Sequence, residues 1–237
     1  MTYVEGFLTP VPTANRDRYL HHARTAMAMI KDSGVMRMVE AWGDDVPRGQ
    51  RNDLWMAVAA TGDETVVFSW FEYPDKAARD AANARMMADP RMADMMQDMP
   101  FDGRRMVMGG FQSVSDAGAA HGTGYIDGIV VPVKTTDRDA FGSFARLVAA
   151  PFLEHGAVRV MDTVADDVQP GEQTDFFRAI LAEAGEEPSF GWVEWPDRAT
   201  RDAGWAAIMA DPRMRGDDAP FDGRRMIYGG FAVVIDG

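Results

Sequence analysis

Cysteine is absent from this chain of 237 residues, and its absence excludes several kinds of chemistry together. Disulfide bonds, thiolate nucleophiles and thiolate metal ligands all require cysteine side chains. The absence is also compatible with a reducing compartment. At 46% hydrophobic residues the chain is long enough to bury a core, either as one large domain or as two smaller ones.

Basic residues are scarce as well: 24 lysines and arginines stand against 37 aspartates and glutamates, for a formal net charge of −13. A surface with this charge repels a phosphate backbone, so we expect no nucleic-acid partner. No apolar run approaches the roughly 20 residues that a membrane span requires, and no basic-then-apolar stretch precedes Tyr3. The sequence therefore predicts a cytoplasmic protein with no membrane partner.

What the chain does contain is a long internal repeat. The segment WFEYPD at 70–75 aligns with WVEWPD at 192–197. The stretch PFDGRRM occurs letter for letter at 100–106 and at 220–226, after a two-residue deletion in the second copy. A period of this length indicates duplicated domains rather than a solenoid, whose repeats run about 20–50 residues.

A short segment of small residues, rich in glycine, separates the two copies. Such a composition is typical of a flexible linker. We therefore predict a first repeat over 1–116, a linker over 117–124 and a second repeat over 125–237. The duplication predicts a monomer with an internal pseudo-two-fold axis, and further dimerisation stays open.

Hydrophobic periodicity predicts one order of elements for each copy. The strands predicted in the first copy cover residues 3–11, 35–43, 65–73 and 105–114. One helix is predicted to follow Asn15 and a second to follow Pro74. The order strand, helix, strand, strand, helix, strand is the ferredoxin-like pattern. Pro151 falls inside the first helix of the second copy, where its ring is expected to kink the helix.

A single four-stranded sheet with helices on one face leaves its other face bare. Two such units in one chain can cover each other. The predicted fold class is therefore α+β, with two ferredoxin-like βαββαβ units packed sheet to sheet as an intrachain pseudo-dimeric α/β barrel. A space between the two sheets is expected to form the ligand cavity.

Short motifs give the chain a family resemblance. The run WGDDVP at 42–47, the W-x-E-x-P strand ends, DPRM, and PFDGRRM followed by GGF resemble the YbaA-like domains of unknown function, once per half. The resemblance implies the dimeric α/β-barrel superfamily and, since such domains are usually single units that pair, a tandem fusion of two of them. The second copy departs at VADDVQ, 164–169, so activity that depends on Trp42 would belong to the first half.

The repeated PFDGRRM stretch favours a structural role. Asp-Gly before a strand is a strong turn signal, so Asp102-Gly103 is interpreted as a turn rather than as a catalytic aspartate. Arg104 and Arg105 are predicted to begin the last strand with opposite orientations, and an inward Arg105 would offer a cation to an anionic ligand. Gly109-Gly110 in that strand indicates a bulge, or room for a ligand.

Three acidic positions inside strands are shared by the copies, namely Glu5 with Asp127, Glu40 with Asp162, and Glu72 with Glu194. Strand alternation gives each acid apolar or aromatic neighbours on its own face. A desolvated carboxyl has a raised pKa and becomes a candidate general acid or base near neutral pH. The alternatives are that these acids reach solvent at strand ends or pair with arginines. The candidate arginine partners are Arg37, Arg159, Arg105 and Arg225.

The sequence offers no repeated set of metal or cofactor ligands. The four histidines, at 21, 22, 121 and 155, have no counterparts across the copies. The acidic run of Asp44, Asp45 and Asp53 lacks the alternating ligands and the turn glycine of an EF-hand loop, so an acidic turn is favoured over a cation site. No Gly-rich phosphate loop and no nucleophile triad is present. We therefore predict no metal and no cofactor.

Three functions stay open. The favoured one is a binding module that holds a small, partly apolar molecule in the cavity between the sheets, where methionines would tolerate varied ligands. The residues predicted to line or anchor that ligand are Trp42, Trp70, Trp192, Arg105, Arg225 and Glu194. The second is a cofactor-independent oxygenase or isomerase with Glu72 or Glu40 as catalytic base. The third is a structural or interaction protein whose barrel is filled by side chains.

Overall fold

A computed structural model describes residues 2–214 and 219–237 of the chain. Its two halves contain the same strands and helices in the same order except for the helix Pro90–Gln97 of the first half, whose counterpart in the second half is a 3-10 turn at Pro212–Met214. The first half contains β1 (Tyr3–Pro12), α1 (Arg16–Asp32), β2 (Arg37–Asp45), α2 (Leu54–Ala57), β3 (Glu64–Tyr73), α3 (Lys76–Ala88), α4 (Pro90–Gln97) and β4 (Val107–Gly118). The second half contains β5 (Tyr125–Lys134), α5 (Arg138–Glu154), β6 (Arg159–Asp167), α6 (Phe176–Ala179), β7 (Glu186–Trp195), α7 (Arg198–Ala210) and β8 (Ile227–Asp236).

All eight strands form one closed antiparallel barrel in the order β1-β3-β2-β8-β5-β7-β6-β4. The order within the first half, β4-β1-β3-β2, repeats in the second half as β8-β5-β7-β6. The halves are joined by the β2–β8 and β4–β6 ladders, so they meet edge to edge as well as through their inner faces. The α+β class and the repeated units are confirmed, and the two extra ladders leave no open sheet edge.

Aspartate caps and glycine ends set the bounds of the main helices. Asp75 accepts a hydrogen bond from the Ala78 amide at the start of α3, and Asp197 does the same for Thr200 at the start of α7. These side chains satisfy amides that have no partner within the helix. Gly34, with φ of +107°, follows α1 in a conformation that only glycine adopts without strain.

Aromatic side chains fill the interior of the barrel. The Phe68 and Phe190 rings stack with their centroids 4.4 Å apart, and the Trp70 and Trp192 rings stack at 4.2 Å. All four are fully buried. These rings occupy the space in which the sequence predicted a ligand cavity, and this corrects that prediction: the inward positions carry rings large enough to meet on the axis.

Two glycines provide the room for this aromatic stack. A Cβ atom added to Gly128 would lie 2.5 Å from the Phe68 ring, and one added to Gly6 would lie 2.9 Å from the Phe190 ring. Each half therefore supplies a glycine opposite the phenylalanine of the other half. The close approach explains why a strand accepts glycine at these positions.

The last strand of the first half begins later than predicted. Gly103–Arg105 form a 3-10 turn, so Arg104 and Arg105 precede β4 instead of opening it. Asp102 caps this turn by accepting a hydrogen bond from the Arg104 amide, as the turn interpretation of the Asp-Gly pair requires. This turn ends just before Val107, where β4 begins. At the other end, β4 runs to Gly118, two residues into the predicted linker.

The register of β4 against β6 shifts between Gly110 and Phe111, and the extra residue there, Asp166, belongs to β6. The extra residue of β4 itself is Val114, so the bulge predicted at Gly109-Gly110 lies on the partner strand instead. A Cβ atom on Gly110 would lie 2.4 Å from the Tyr3 hydroxyl, so the missing side chain makes room for tyrosine.

Pro151 lies inside α5. The two-residue deletion of the second half falls at 215–219, of which only Ala219 belongs to the described residues. No helix within the described ranges is long and apolar enough to cross a membrane.

Candidate functional site

A buried network of ion pairs closes one end of the barrel. Arg37 of the first half makes two bonds to Glu194 of the second, at 2.8 and 2.9 Å. Arg159 of the second half makes two bonds to Glu72 of the first, at 2.8 and 3.0 Å. Planar two-point pairing of this kind is the strongest geometry for an arginine and a carboxylate. The network therefore fastens each half to the other.

The tryptophans of the barrel axis complete this network. The Trp70 indole nitrogen donates to Glu72 at 2.9 Å, and the Trp192 nitrogen donates to Glu194 at 2.9 Å. Burial acts to raise the pKa of Glu194, but Arg37 and the hydrogen bonds from Thr123 and Trp192 together outweigh it, and the pKa is lowered overall. The sequence predicted that Trp70, Trp192 and Glu194 bind a ligand and that Glu72 acts in catalysis. In the structure each tryptophan is hydrogen-bonded to the glutamate of its own half, and each glutamate is paired with an arginine. None of these four residues, apart from Trp192, lines a cavity that the structure describes.

The arginines of the PFDGRRM stretches also pair within the protein. Arg105 bonds to Glu64 at 2.7 and 2.8 Å, and its counterpart Arg225 bonds to Glu186 at 2.6 and 2.7 Å. The Arg105 guanidinium lowers the pKa of Glu64 to about 2. Both arginines hold the turn before the last strand against the start of the third strand of the same half. Their predicted role as ligand anchors stays a prediction.

The largest described cavity, about 350 Å³, lies outside the barrel, between the outer face of the first half's sheet and helices α1, α3 and α4. Strand positions that alternate with the barrel-facing ones supply its floor, including Phe7, Met38 and Phe71. The helices supply its roof, chiefly through methionines. The methionines that line it are Met29, Met38, Met86, Met87, Met92, Met95, Met106 and Met108. Flexible thioether side chains give such a wall an adaptable shape.

Glu40 of β2 is a polar point in this apolar wall. Its carboxylate accepts a hydrogen bond from the Tyr19 hydroxyl of α1 at 2.6 Å, and Ser69 of the neighbouring strand is a second partner. Burial raises the pKa of Glu40 to about 7, against the lowering effect of these two hydroxyls. Burial and the nearby Glu40 raise the pKa of Tyr19 well above its ordinary value, so the tyrosine remains the donor. Glu40 can therefore accept or release a proton near neutral pH.

Glu5 of β1 is the other acid on the same wall. Its carboxylate accepts hydrogen bonds from Asn83 at 3.0 Å and from Tyr73 at 3.2 Å, and burial raises its pKa. Glu5 lies on β1 and Glu40 on β2, with β3 between them, and Glu40 is two residues further along its strand than the residue level with Glu5. Standard sheet spacings put their Cα atoms roughly 12 Å apart. The cavity wall therefore offers two separate carboxyl groups, Glu5 and Glu40, as hydrogen-bonding partners.

A counterpart cavity of about 180 Å³ lies at the equivalent place in the second half. Asp162 stands where Glu40 stands, but Phe141 replaces Tyr19 and Gly191 replaces Ser69. One carboxylate oxygen of Asp162 is buried without a hydrogen-bond partner. The two halves share the fold and an acid at this position, but the second half lacks the two hydroxyl partners that Glu40 has in the first.

Sequence reasoning named Glu5 and Glu40 and expected methionines in a ligand cavity, but it did not identify Tyr19 or His22, which both line this cavity. Burial lowers the pKa of His22. The available signal was the difference between halves, since Tyr19 and His22 become Phe141 and Phe144. Trp42 packs beside Tyr19, with ring centroids 5.9 Å apart, next to the cavity.

Asp44 and Asp45, the last two residues of β2, make contacts between the halves. Asp44 accepts hydrogen bonds from the Tyr125 hydroxyl at 3.0 Å and from Arg198 at 2.8 Å, and Asp45 pairs with Arg201 at 2.9 Å. Asp53 instead caps α2. Within the described ranges, no group of three or more acids or histidines is arranged to hold a metal ion.

Together these features define a duplicated α/β-barrel protein with an apolar cavity and a titratable carboxyl in its first half. The family model described as "Protein of unknown function (DUF1428)" matches residues 2–103 and again residues 124–223. The chain therefore belongs to that family. The uncharacterised protein YbaA of Escherichia coli K12 is 51% identical over 116 residues, which is 49% of this chain and 99% of YbaA. YbaA of Shigella flexneri matches to the same extent.

Solved structures of similar shape cover nearly the whole chain. A protein from Lactobacillus acidophilus described as a candidate monooxygenase aligns with 100% of this chain and 95% of its own, at a TM-score of 0.60 and 10% identity. A candidate monooxygenase from Fusobacterium nucleatum aligns with 99% and 93%, at 0.60 and 12% identity. An anthrone oxidase-like protein aligns with 100% and 92%, at 0.54 and 9% identity. At these identities the likeness shows a shared fold.

Proposed function

We propose that the protein binds a small, mostly apolar molecule in the cavity between the first half's sheet and helices α1, α3 and α4. Glu40 would accept a hydrogen bond from a hydroxyl group of that molecule. The observation that carries the proposal is the buried Glu40–Tyr19 pair on the wall of an apolar cavity of about 350 Å³. Cavities of about 300–1,000 Å³ with a few fixed polar groups are typical of small-molecule sites.

The bonding capacity of Glu40 supports this choice of ligand. An ionised carboxylate has about four acceptor sites, and Tyr19 and Ser69 account for two of them. A phenolic or enolic hydroxyl placed among the methionines would use another, while its ring replaces water along the apolar wall. A hydrogen bond to a charged group contributes about 1.5–3 kcal/mol, or roughly ten- to a hundredfold in affinity.

The test is a fluorescence titration with 2-naphthol, an apolar double ring with one hydroxyl. We expect saturable binding to the wild-type protein and at least tenfold weaker binding to Glu40→Gln. Asp162→Asn is the matched control, since it makes the same change at the equivalent position of the second half, and we expect its affinity to stay within twofold. Equal affinity of wild type and Glu40→Gln would refute the proposal.

A second candidate is cofactor-independent oxidation with Glu40 as base, favoured by the pKa of about 7 in a desolvated site. The name of the anthrone oxidase-like neighbour suggests anthrone as a probe. Glu40 would take a proton from the methylene carbon, and the carbanion would give its electrons to O₂. The overall reaction converts anthrone and O₂ into anthraquinone and water.

This candidate is tested by O₂ uptake and anthraquinone absorbance, corrected for the spontaneous reaction. We expect the rate to rise with pH through about 7 as Glu40 ionises, and to fall to the spontaneous rate in Glu40→Gln. Binding of anthrone without turnover would leave the binding proposal intact and remove the enzymatic one.

We also infer that each half is a ferredoxin-like unit and that the barrel is the single-chain counterpart of a dimer. The support is the strand order, which is the same in both halves, and the exchange of arginine–glutamate pairs between them. One chain would then carry two copies of the site, free to differ from each other.

A further inference from the structure

The cavity of the second half has an aromatic wall where the first half has a mixed one. Phe141, Phe144 and Phe152 line it from α5, at the positions of Tyr19, His22 and Ile30. The Phe221 ring closes the same wall, edge-on to Phe141 and to Phe144 at centroid distances of 6.2 and 5.9 Å. The substitutions have produced a set of rings around one small space.

Asp162 is the acid in this wall. Burial raises its pKa to about 7, and its ionised form, present above that pH, lacks a compensating charge. Its Oδ2 atom is buried and has no hydrogen-bond partner. Among the residues that the structure describes, no arginine, lysine or histidine lines the cavity. A buried polar atom without a partner is rare in folded proteins and calls for a donor.

We infer that this second cavity binds a small primary amine as its ammonium ion, with Asp162 as the counter-ion and the phenylalanine rings around the apolar body. An ammonium group supplies both the missing donor and the missing charge. Aromatic faces attract cations, and rings that surround an ammonium group are a known mode of recognition. The net charge of −13 also favours the approach of a cation.

The size of the cavity limits the ligand further. Its volume of about 180 Å³ lies below the usual range for drug-sized molecules, so the amine should carry a single ring or a short chain. The inference does not depend on the function proposed for the first cavity, because the two cavities lie in different halves and use different acids.

The test is isothermal titration calorimetry with 2-phenylethylamine and with 2-phenylethanol, which differ in the group offered to Asp162. At pH 8 the amine is still an ammonium ion. We expect the wild-type protein to bind the amine at least tenfold more tightly than the alcohol. Asp162→Asn should weaken amine binding at least tenfold, while Glu40→Gln, the matched change in the first half, should leave it within twofold.

Several outcomes would overturn the inference: alcohol binding as tight as amine binding, no saturable binding of the amine by the wild-type protein, or unchanged amine binding by Asp162→Asn. A loss in Glu40→Gln equal to that in Asp162→Asn would place the amine elsewhere and overturn it too. Circular dichroism would verify the fold of each variant. The comparison of amine with alcohol on the wild-type protein decides the question even if a variant misfolds.

Discussion

Replacing Glu40 by glutamine should change the pH dependence of stability in a defined way. Burial raises the pKa of Glu40 from 4.5 to about 7 in the folded protein. Below pH 4.5 the carboxyl is protonated whether the chain is folded or unfolded. Between 4.5 and 7 the unfolded chain releases the proton while the folded protein retains it, so the folded state loses stability as pH rises.

The size of this effect follows from the two pKa values. At 1.36 kcal/mol per pKa unit, the step from 4.5 to about 7 corresponds to a loss of about 3 kcal/mol, complete above pH 7. Glutamine does not titrate and escapes the loss. The unfolding free energy of Glu40→Gln relative to wild type should therefore increase by about 3 kcal/mol from pH 4 to pH 8.

Urea denaturation of both proteins at several pH values from 4 to 8 measures this difference directly. Titration of Asp162 and of other acids occurs in both proteins and cancels. Asp94→Asn, a change to an exposed acid on α4, serves as the control and should show no comparable trend. A difference between Glu40→Gln and wild type that stays constant across this pH range would refute the account of Glu40 as a desolvated acid.

Three further predictions concern the fold. Arg159→Met should destabilise the protein by about 3–5 kcal/mol in urea denaturation, because it removes the two-point partner of the buried Glu72 carboxylate and leaves Arg37, at 3.3 Å, as its charged contact; a loss below about 1 kcal/mol would contradict the network's role. Gly128→Ala should cost about 1–3 kcal/mol because its Cβ meets a buried ring, whereas Gly62→Ala, with nothing within 4 Å, should cost little; equal costs would contradict the close packing. Arg105→Met should raise the pKa of Glu64 from about 2 towards 4.5, as followed by NMR titration, and remove the stability that this pair gives above pH 4.5 and loses as pH falls through about 2. An unmoved Glu64 titration would show that another group sets its pKa.

The repeat and the strand alternation were enough to predict the fold class. Alternation also gave each strand acid apolar or aromatic neighbours on its own face, and the structure has Trp70 beside Glu72 and Met38 beside Glu40. Alternation could not tell which face lies inside the barrel. Nor could it show whether rings from the two halves meet on the axis, because that depends on the distance between sheets far apart in sequence.

The candidate site was only partly within reach of the sequence for the same reason. Each acid had an equal claim to a raised pKa until its partners were known. Arg159 neutralises Glu72 across the barrel, whereas Glu40 meets only hydroxyl groups. The exchange of Tyr19 for Phe141 was visible as a difference between the repeats, but its meaning depends on the 2.6 Å contact that only the folded chain reveals.

A crystal structure of the protein grown with 2-naphthol would test the proposed binding site most directly. We predict electron density for the double ring among the methionines between the first sheet and α1, with the hydroxyl oxygen about 2.7 Å from a Glu40 carboxylate oxygen. Density for the ligand at the barrel end, on the surface or only in the second cavity would contradict the account. So would a first cavity that remains empty at a saturating concentration of the probe.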